Sequence, residues 1–452
     1  MFFLSKFEKD LSKGSVVQQL FAFSMPFLLS NIIQALYNTA DMIIVGQANG
    51  TASMTGVSIG GQVTLIVTNL VIGLSMGATV LIGQYKGRHD REGMKETIST
   101  LFSSLSFLAV ILTIVMILLR KPVLRFINTP DSAFDEAESY LLTTMLGIIF
   151  IFGYNALSAV MRGMGDSKRP LIFVGMACFV NIGLDILLVI VFHLGAVGAA
   201  AATVFSQALS MFLCITYLKR NGFIFSFYRS SFRFYKERLK LLLKIGIPSS
   251  VQSIVVSLSF LFLTALVNTM GEAASAALGA VGKYNGFGIL PSIAMSAAIA
   301  AMVAQNMGAG EEKRAVKTMQ TGFCIAMVIS ACIFVVTQLF PEEILLMFAD
   351  DESMLIQGIP YLKVFSLDYL AVPFHFALAG LFIGSGHTTF TLINSMISSL
   401  IARVPIAYIM GVTLDLGMEG VGWAAFLATV LSIVFSVIFY FSGKWKKQVI
   451  HH

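Results

Sequence analysis

The sequence predicts an all-α integral membrane protein with twelve transmembrane helices, arranged as two six-helix lobes related by a pseudo-two-fold axis along the membrane normal. Three observations carry this reading: long uncharged stretches, the placement of the basic residues, and an internal repeat. Of 452 residues, 57% are hydrophobic and 12% are charged, too little charge to cover a soluble chain of this size. Uncharged runs recur at 14–40, 42–85, 97–119, 139–161, 170–184, 186–218, 245–271, 284–310, 318–341, 369–402 and 420–443. Most match or exceed the roughly 20 residues that one spanning helix needs. The 42–85 run is too long for one helix, and "ANGTASMTG" (48–56) divides it. Helices are therefore expected at about 17–46, 53–83, 94–119, 134–161, 168–192, 195–218, 238–268, 274–307, 315–340, 354–382, 388–411 and 418–442.

Orientation follows from the thirty Lys and Arg residues. Taking alternate loops as one side, the segments 1–16, 84–96, 162–169, 219–244, 309–317 and 443–452 hold twenty-four of them. The opposite side holds only Arg120, Lys121 and Arg125, and its "PEEILLMFADDES" loop (341–353) has no base. The positive-inside rule then puts both termini in the cytoplasm of a multi-pass protein of the cell membrane. The net charge of +6 belongs to loops facing anionic lipid, so the bilayer is the expected partner and nucleic acid is not. The first apolar run is too long for a signal-peptide core and is expected to be the first span. Cys178, Cys214, Cys324 and Cys332 lie in apolar helices without CxxC spacing and are expected to pack.

The chain repeats at about 221–222 residues. "SMPFLLS" (24–30) parallels "GIPSSVQ" (246–252), aligning Pro26 with Pro248. "GQYKGRHDREGMKETIST" (83–100) parallels "AQNMGAGEEKRAVKTMQT" (304–321), and "GMGDS" (163–167) parallels "GSGHT" (384–388). Six helices separate equivalent points, so both halves enter the membrane in the same sense. The expected division is an N-terminal lobe over 1–218, a basic linker and start of helix seven over 219–244, and a C-terminal lobe with a cytoplasmic tail over 245–452.

Polarity breaks the repeat. Asp41 aligns with Leu263, Asp185 with Ile406 or Ala407, and Thr203 with Ala425. Asn31, Gln34, Asn38 and Asp41 recur at spacings of three and four on the first helix, and Asn181 and Asp185 are four apart on the fifth, so each set shares one helix face. Depths also agree, which lets Asp41, Asn181, Asp185 and Thr203 meet near one end of the N-terminal lobe. Charge in hydrocarbon is costly and marks function by default. Two carboxylates a few ångströms apart in low dielectric cannot both stay ionised without a cation, and this oxygen-only set suits H⁺ or Na⁺. Pro26 interrupts the helix-one hydrogen-bond ladder and is the expected hinge.

At these residues the chain resembles the MATE (multidrug and toxic compound extrusion) transporters. "PFLLSNIIQALYNTADMIIVGQ" (26–47) is similar to the family's first helix, and "GQYKG" (83–87) and "AQNMGAG" (304–310) to its paired loop motifs. "RGMGDSKRPL" (162–171), "NIGLD" (181–185) and "RVPIAY" (403–408) fit the same pattern, and NIGLD looks most like the DinF-like branch. The resemblance implies an N-lobe pocket of Gln34, Tyr37, Asp41, Asn155, Asn181, Asp185 and Thr203. It leaves Asp368, on helix ten, as a secondary candidate, because helix seven carries no acid after Glu237.

The expected function is a secondary antiporter, not an enzyme, exporting amphipathic and typically cationic small organic compounds in exchange for H⁺ or Na⁺ by alternating access. Asp41, Asp185, Asn181 and Thr203 would couple the cation, and Gln34, Tyr37 and Asn155 would line the substrate pocket. A lipid-linked oligosaccharide flippase of related architecture is the alternative. No cofactor is expected beyond the coupling ion, no metal beyond possible Na⁺ at those four residues, and the chain is expected to act as a monomer. "GVSIG" (56–60) and "GLSMG" (73–77) match a hydrolase elbow but lie within apolar spans, where they read as small-residue helix packing.

The orientation is testable without a transport assay. A cysteine introduced into 219–244 should react with a membrane-impermeant reagent only from the cytoplasmic side, and one in 341–353 only from outside; the reverse pattern would overturn the assignment.

Overall fold

The computed structural model describes residues 8–348, 350–447 and 449–450, and no β-strand occurs among them. The chain runs through α1 (Val16–Gly87), α2 (Arg91–Phe126), α3 (Asp131–Leu146), α4 (Ile148–Gly163), α5 (Lys168–Asp185), α6 (Gly195–Arg220), α7 (Lys236–Asn268) and α8 (Glu272–Gly288). It continues through α9 (Leu290–Gly308), α10 (Glu312–Leu339), the short α11 (Pro341–Leu346), α12 (Glu352–Phe365), α13 (Asp368–Gly384), α14 (Thr388–Ser395), α15 (Val404–Tyr408) and α16 (Gly417–Phe441). Nine helical segments among the described residues are long and apolar enough to span a membrane. The α3–α4 and α12–α13 pairs, bent by 53° and 44°, supply two more. Because α1 contains two crossings, the total agrees with the twelve expected.

Two details differ from the sequence-based expectation. The "ANGTASMTG" stretch is not a loop: only Gly50 leaves helical geometry, at φ 82° and ψ −176°. One residue at positive φ suffices to reverse the chain, which glycine does without a Cβ clash. Helix five does not stay α-helical to its end. A π-helical turn, Ile186–Val191, follows Asp185 directly. A comparable turn occupies Ile409–Thr413 in the second half, so this widening belongs to the shared scaffold and does not mark the site.

Contacts divide the chain into two units. Of the described residues, one unit holds 8–10 and Leu29–Ile247, and the other holds Leu11–Leu28 with those from Pro248 onward. The division runs through helices, near Pro26 in the first and at Pro248 in α7. In the second unit Leu11, Val16, Leu20 and Phe23 are buried in one cluster with Met302, Phe382 and Trp445, and the Leu11 amide donates to Gln305 Oε1 (2.9 Å). In the first unit the Lys9 amide donates to the Met164 carbonyl (3.0 Å). Large apolar side chains such as Leu118, Phe179 and Phe441 point outward, as a lipid-facing surface requires.

Small residues set the packing. A Cβ on Gly163 would lie 2.9 Å from the Thr79 carbonyl oxygen, and one on Gly384 would lie 2.5 Å from that of Ala300. These are equivalent positions of the repeat, so each unit brings two backbones together at the same place. The turns that follow also match: the Asp166 amide donates to the Met161 carbonyl (2.9 Å) and the His387 amide to that of Phe382 (2.7 Å). Backbone atoms cannot swing aside as side-chain tips do. Gly163→Ala and Gly384→Ala should each cost about 1–3 kcal/mol, read as a lower unfolding temperature of the purified protein. Unchanged unfolding would mean that the helices separate freely at these contacts.

Candidate functional site

The site lies in the first unit, at the end of α1's first crossing. On that helix Asn31 and Tyr37 are half-buried, Gln34 and Asn38 are exposed, and Asp41 alone of these is buried, at 6% exposed. On α5, Asn181 and Asp185 are 1% and 0% exposed. Thr203 of α6 is half-buried. Asp41 lies within hydrogen-bond reach of both Asp185 and Thr203.

Helical spacing explains the convergence. Asp185 is the last residue of α5 before its π-helical turn, and Thr203 sits two turns into α6 from Gly195. Beyond them Val45, Val57, Val189, Ala196, Ala199 and Ala200 form a buried apolar cluster that closes this end of the unit. No ion pair to a base reaches either acid among the described residues.

Asp41 Oδ1, both Asp185 carboxyl oxygens and both Asn181 amide atoms are buried without a hydrogen-bond partner. Buried polar groups are costly when unpaired. Two carboxyls facing each other present acceptor to acceptor, and a shared proton or a small hard cation among the oxygens removes that mismatch. The donor set fits either.

Sequence reasoning missed Tyr140 and Gln207 as neighbours of the site. Tyr140 of α3, itself in the buried cluster, is close enough to interact electrostatically with Asp41 and Asp185. Tyr37 lies near Asp41, Tyr140 and Cys178, and within hydrogen-bond reach of Gln207. Depth was the available signal: Tyr140 lies nine residues into α3 and Thr203 eight into α6, at the same end of the unit. The remaining candidates do not join the pair. Asn155 donates to the Ile151 carbonyl of its own helix (2.8 Å), Gln34 is exposed, and α1 keeps helical geometry through Pro26.

Asp368 belongs to the second unit. It is buried, begins α13, lies within hydrogen-bond reach of Thr429 and has the Arg403 guanidinium nearby. Arg403 also stands 5.6 Å from the centre of the Phe260 ring. A helix N-terminus and an arginine both favour a carboxylate, so Asp368 has local compensation that the Asp41–Asp185 pair lacks.

The MatE family model matches residues 26–187 and 248–409, one match in each half of the repeat. Over 438 residues the chain is 29% identical to the probable multidrug resistance protein YpnP of Bacillus subtilis, covering 97% of each chain. It is 26% identical over 462 residues to the probable multidrug resistance protein NorM of Thermotoga maritima, covering 99% of this chain and 97% of the other. Its fold is similar to that of a MOP superfamily transporter from Pyrococcus furiosus, with a TM-score of 0.89 at 24% identity over 97% of this chain and 98% of the other.

Tyr140 is held at the pair by a close approach to α1. A Cβ on Gly60 would lie 2.7 Å from Tyr140 Cδ1, whereas one on Gly61 meets nothing within 4 Å. Gly60→Ala should therefore displace the ring and lower ion-driven transport about tenfold, while Gly61→Ala should leave it intact and add up to about 1 kcal/mol of helix stability. Equal effects of the two substitutions on transport would show that Tyr140 does not serve the acid pair.

Proposed function

Because this chain belongs to the MatE family, whose members are membrane transporters rather than enzymes, we propose that it is a secondary antiporter. It exports amphipathic, cationic organic compounds across the cell membrane in exchange for H⁺ or Na⁺. The observation that carries this reading is the buried Asp41–Asp185 pair, with no ion-paired base and with unpaired oxygens. The NIGLD acid of α5 supports placing the chain in the DinF-like branch. The multidrug resistance names of its relatives support organic drugs as cargo, and the basic loops support cytoplasmic termini.

The chemistry follows from competition for one negative site. A proton or Na⁺ at the pair removes the repulsion between the carboxyls, and Thr203 and Asn181 supply neutral oxygens to complete the shell. A cationic cargo competes for the same charge, so loading of the coupling ion disfavours cargo and assists its release on the outer side. Each ligand shifts the conformational balance only by its differential affinity for the two states. Pro26 provides a flexible point at which the first helix can respond to the state of Asp41. The chain is proposed to act as a monomer, since both units come from a single chain.

Asp41→Asn keeps the size of the side chain and removes its charge. In proteoliposomes with separately imposed pH and Na⁺ gradients, it should lower gradient-driven efflux of an organic cation at least tenfold while the protein still folds and inserts. Asp368→Asn should reduce efflux less. Full activity of Asp41→Asn, or loss of activity only in Asp368→Asn, would move the coupling site to the other unit.

A further inference from the structure

The first unit contains a cavity of about 200 Å³, the space of six or seven water molecules, that plays no part in the acid site. Its wall is apolar: Phe102 and Leu105 of α2, Ile149 and Phe152 of α4, and the rings of Phe227 and Phe232 from the segment between α6 and α7. Ser106 supplies the one hydroxyl among the lining residues. Ile149, beside the bend between α3 and α4, is 40% exposed, so one end of the cavity reaches the outer surface at mid-span. The other end lies under the 219–244 segment.

That end is rimmed by positive charge. Lys219 Nζ stands 5.7 Å from the centre of the Phe227 ring. Arg229 and Arg233 are exposed beside Phe232, and Tyr228 and Phe234, on either side of them in sequence, are exposed as well. Residues 219–244 hold eight bases and one acid, Glu237. The segment is anchored to α2: Ser99 Oγ donates to the Ser231 carbonyl (2.6 Å) and accepts from the Arg233 amide (2.9 Å), and Phe225 packs edge-on against Phe102 at 5.3 Å. Alternating aromatic and basic side chains are the composition of a bilayer interface.

We propose that this cavity holds part of an acyl chain of an anionic phospholipid whose headgroup is bound by Lys219, Arg229 and Arg233. The apolar interior offers almost nothing to orient a polar cargo, whereas an alkyl chain needs no partner there. The basic rim complements a phosphate-bearing headgroup. The proposal rests on the antiporter reading only in placing the basic loops at the cytoplasmic surface. A bound lipid at this position would tie the segment between the two halves of the chain to the composition of the inner leaflet.

The test uses the full chain in vesicles of phosphatidylcholine containing a minor fraction of phosphatidylglycerol. Photoactivatable phosphatidylglycerol with a diazirine in its acyl chain should attach to α2, α4 and α6 around residues 102–106, 149–157 and 211–215. It should do so several-fold more than the matching phosphatidylcholine probe. Lys219→Gln with Arg233→Gln should abolish the headgroup preference, and Ser106→Phe should fill the cavity and lower labelling there several-fold. Equal labelling by both headgroups in the wild type, adducts spread over outer helix faces, or displacement by an organic cation would overturn the proposal. So would undiminished labelling of a folded Ser106→Phe chain. Should that variant not fold, the double charge substitution decides alone, since both its side chains are exposed. These readouts require no transport, so failure here leaves the acid-pair reading standing, and an active Asp41→Asn chain leaves the lipid site standing.

Discussion

Asp41 and Asp185 face each other in an apolar unit with no ion-paired base, and electrostatics allows this only if positive charge is shared between them. Much of the first unit serves that requirement. The valine and alanine cluster around Val45 and Val189 and the Tyr140 ring seated against Gly60 together close one end of the unit. A carboxyl pair in open water would bind a proton or sodium ion too weakly to matter. The same pair in a dry setting makes two unneutralised charges costly.

The second unit shows what the scaffold looks like without that demand. It carries its own π-helical turn at Ile409–Thr413, its own bent crossing at α12–α13 and its own backbone contact at Gly384. Its buried acid, however, begins a helix and has an arginine nearby. One acid has an arginine nearby, although its Oδ1 is unpartnered, and the other pair has no ion-paired base among the described residues. Duplication supplied the frame, and polarity distinguishes the two copies.

Much of this was legible in the sequence because hydrocarbon leaves strong imprints. Span count follows from uncharged length, and the pairing of α1 with α5 and α6 followed from helical spacing and depth. The rest was hidden for identifiable reasons. The Gly50 kink needs one residue at positive φ, and its neighbours resemble ordinary loop chemistry. Tyr140 looked unremarkable because tyrosines near helix ends are common at membrane interfaces, and only the fold places this one beside two acids. Asn155 was expected in the pocket by resemblance, and its amide nitrogen donates to the Ile151 carbonyl of its own helix. Pro26, the expected hinge, lies two residues before the Leu28–Leu29 boundary between the units, but a helix-interior proline alone does not show which unit each side joins.

That boundary bears on how the chain is made. Residues 11–28 leave the ribosome long before Pro248 but pack with the chain that follows it. Domains usually condense in order of synthesis; here this segment must wait until the intervening first unit has been made. The first unit in turn cannot close until the early part of α7 has arrived. Cutting the chain in its basic linker would therefore yield two fragments, each lacking a helix segment carried by the other.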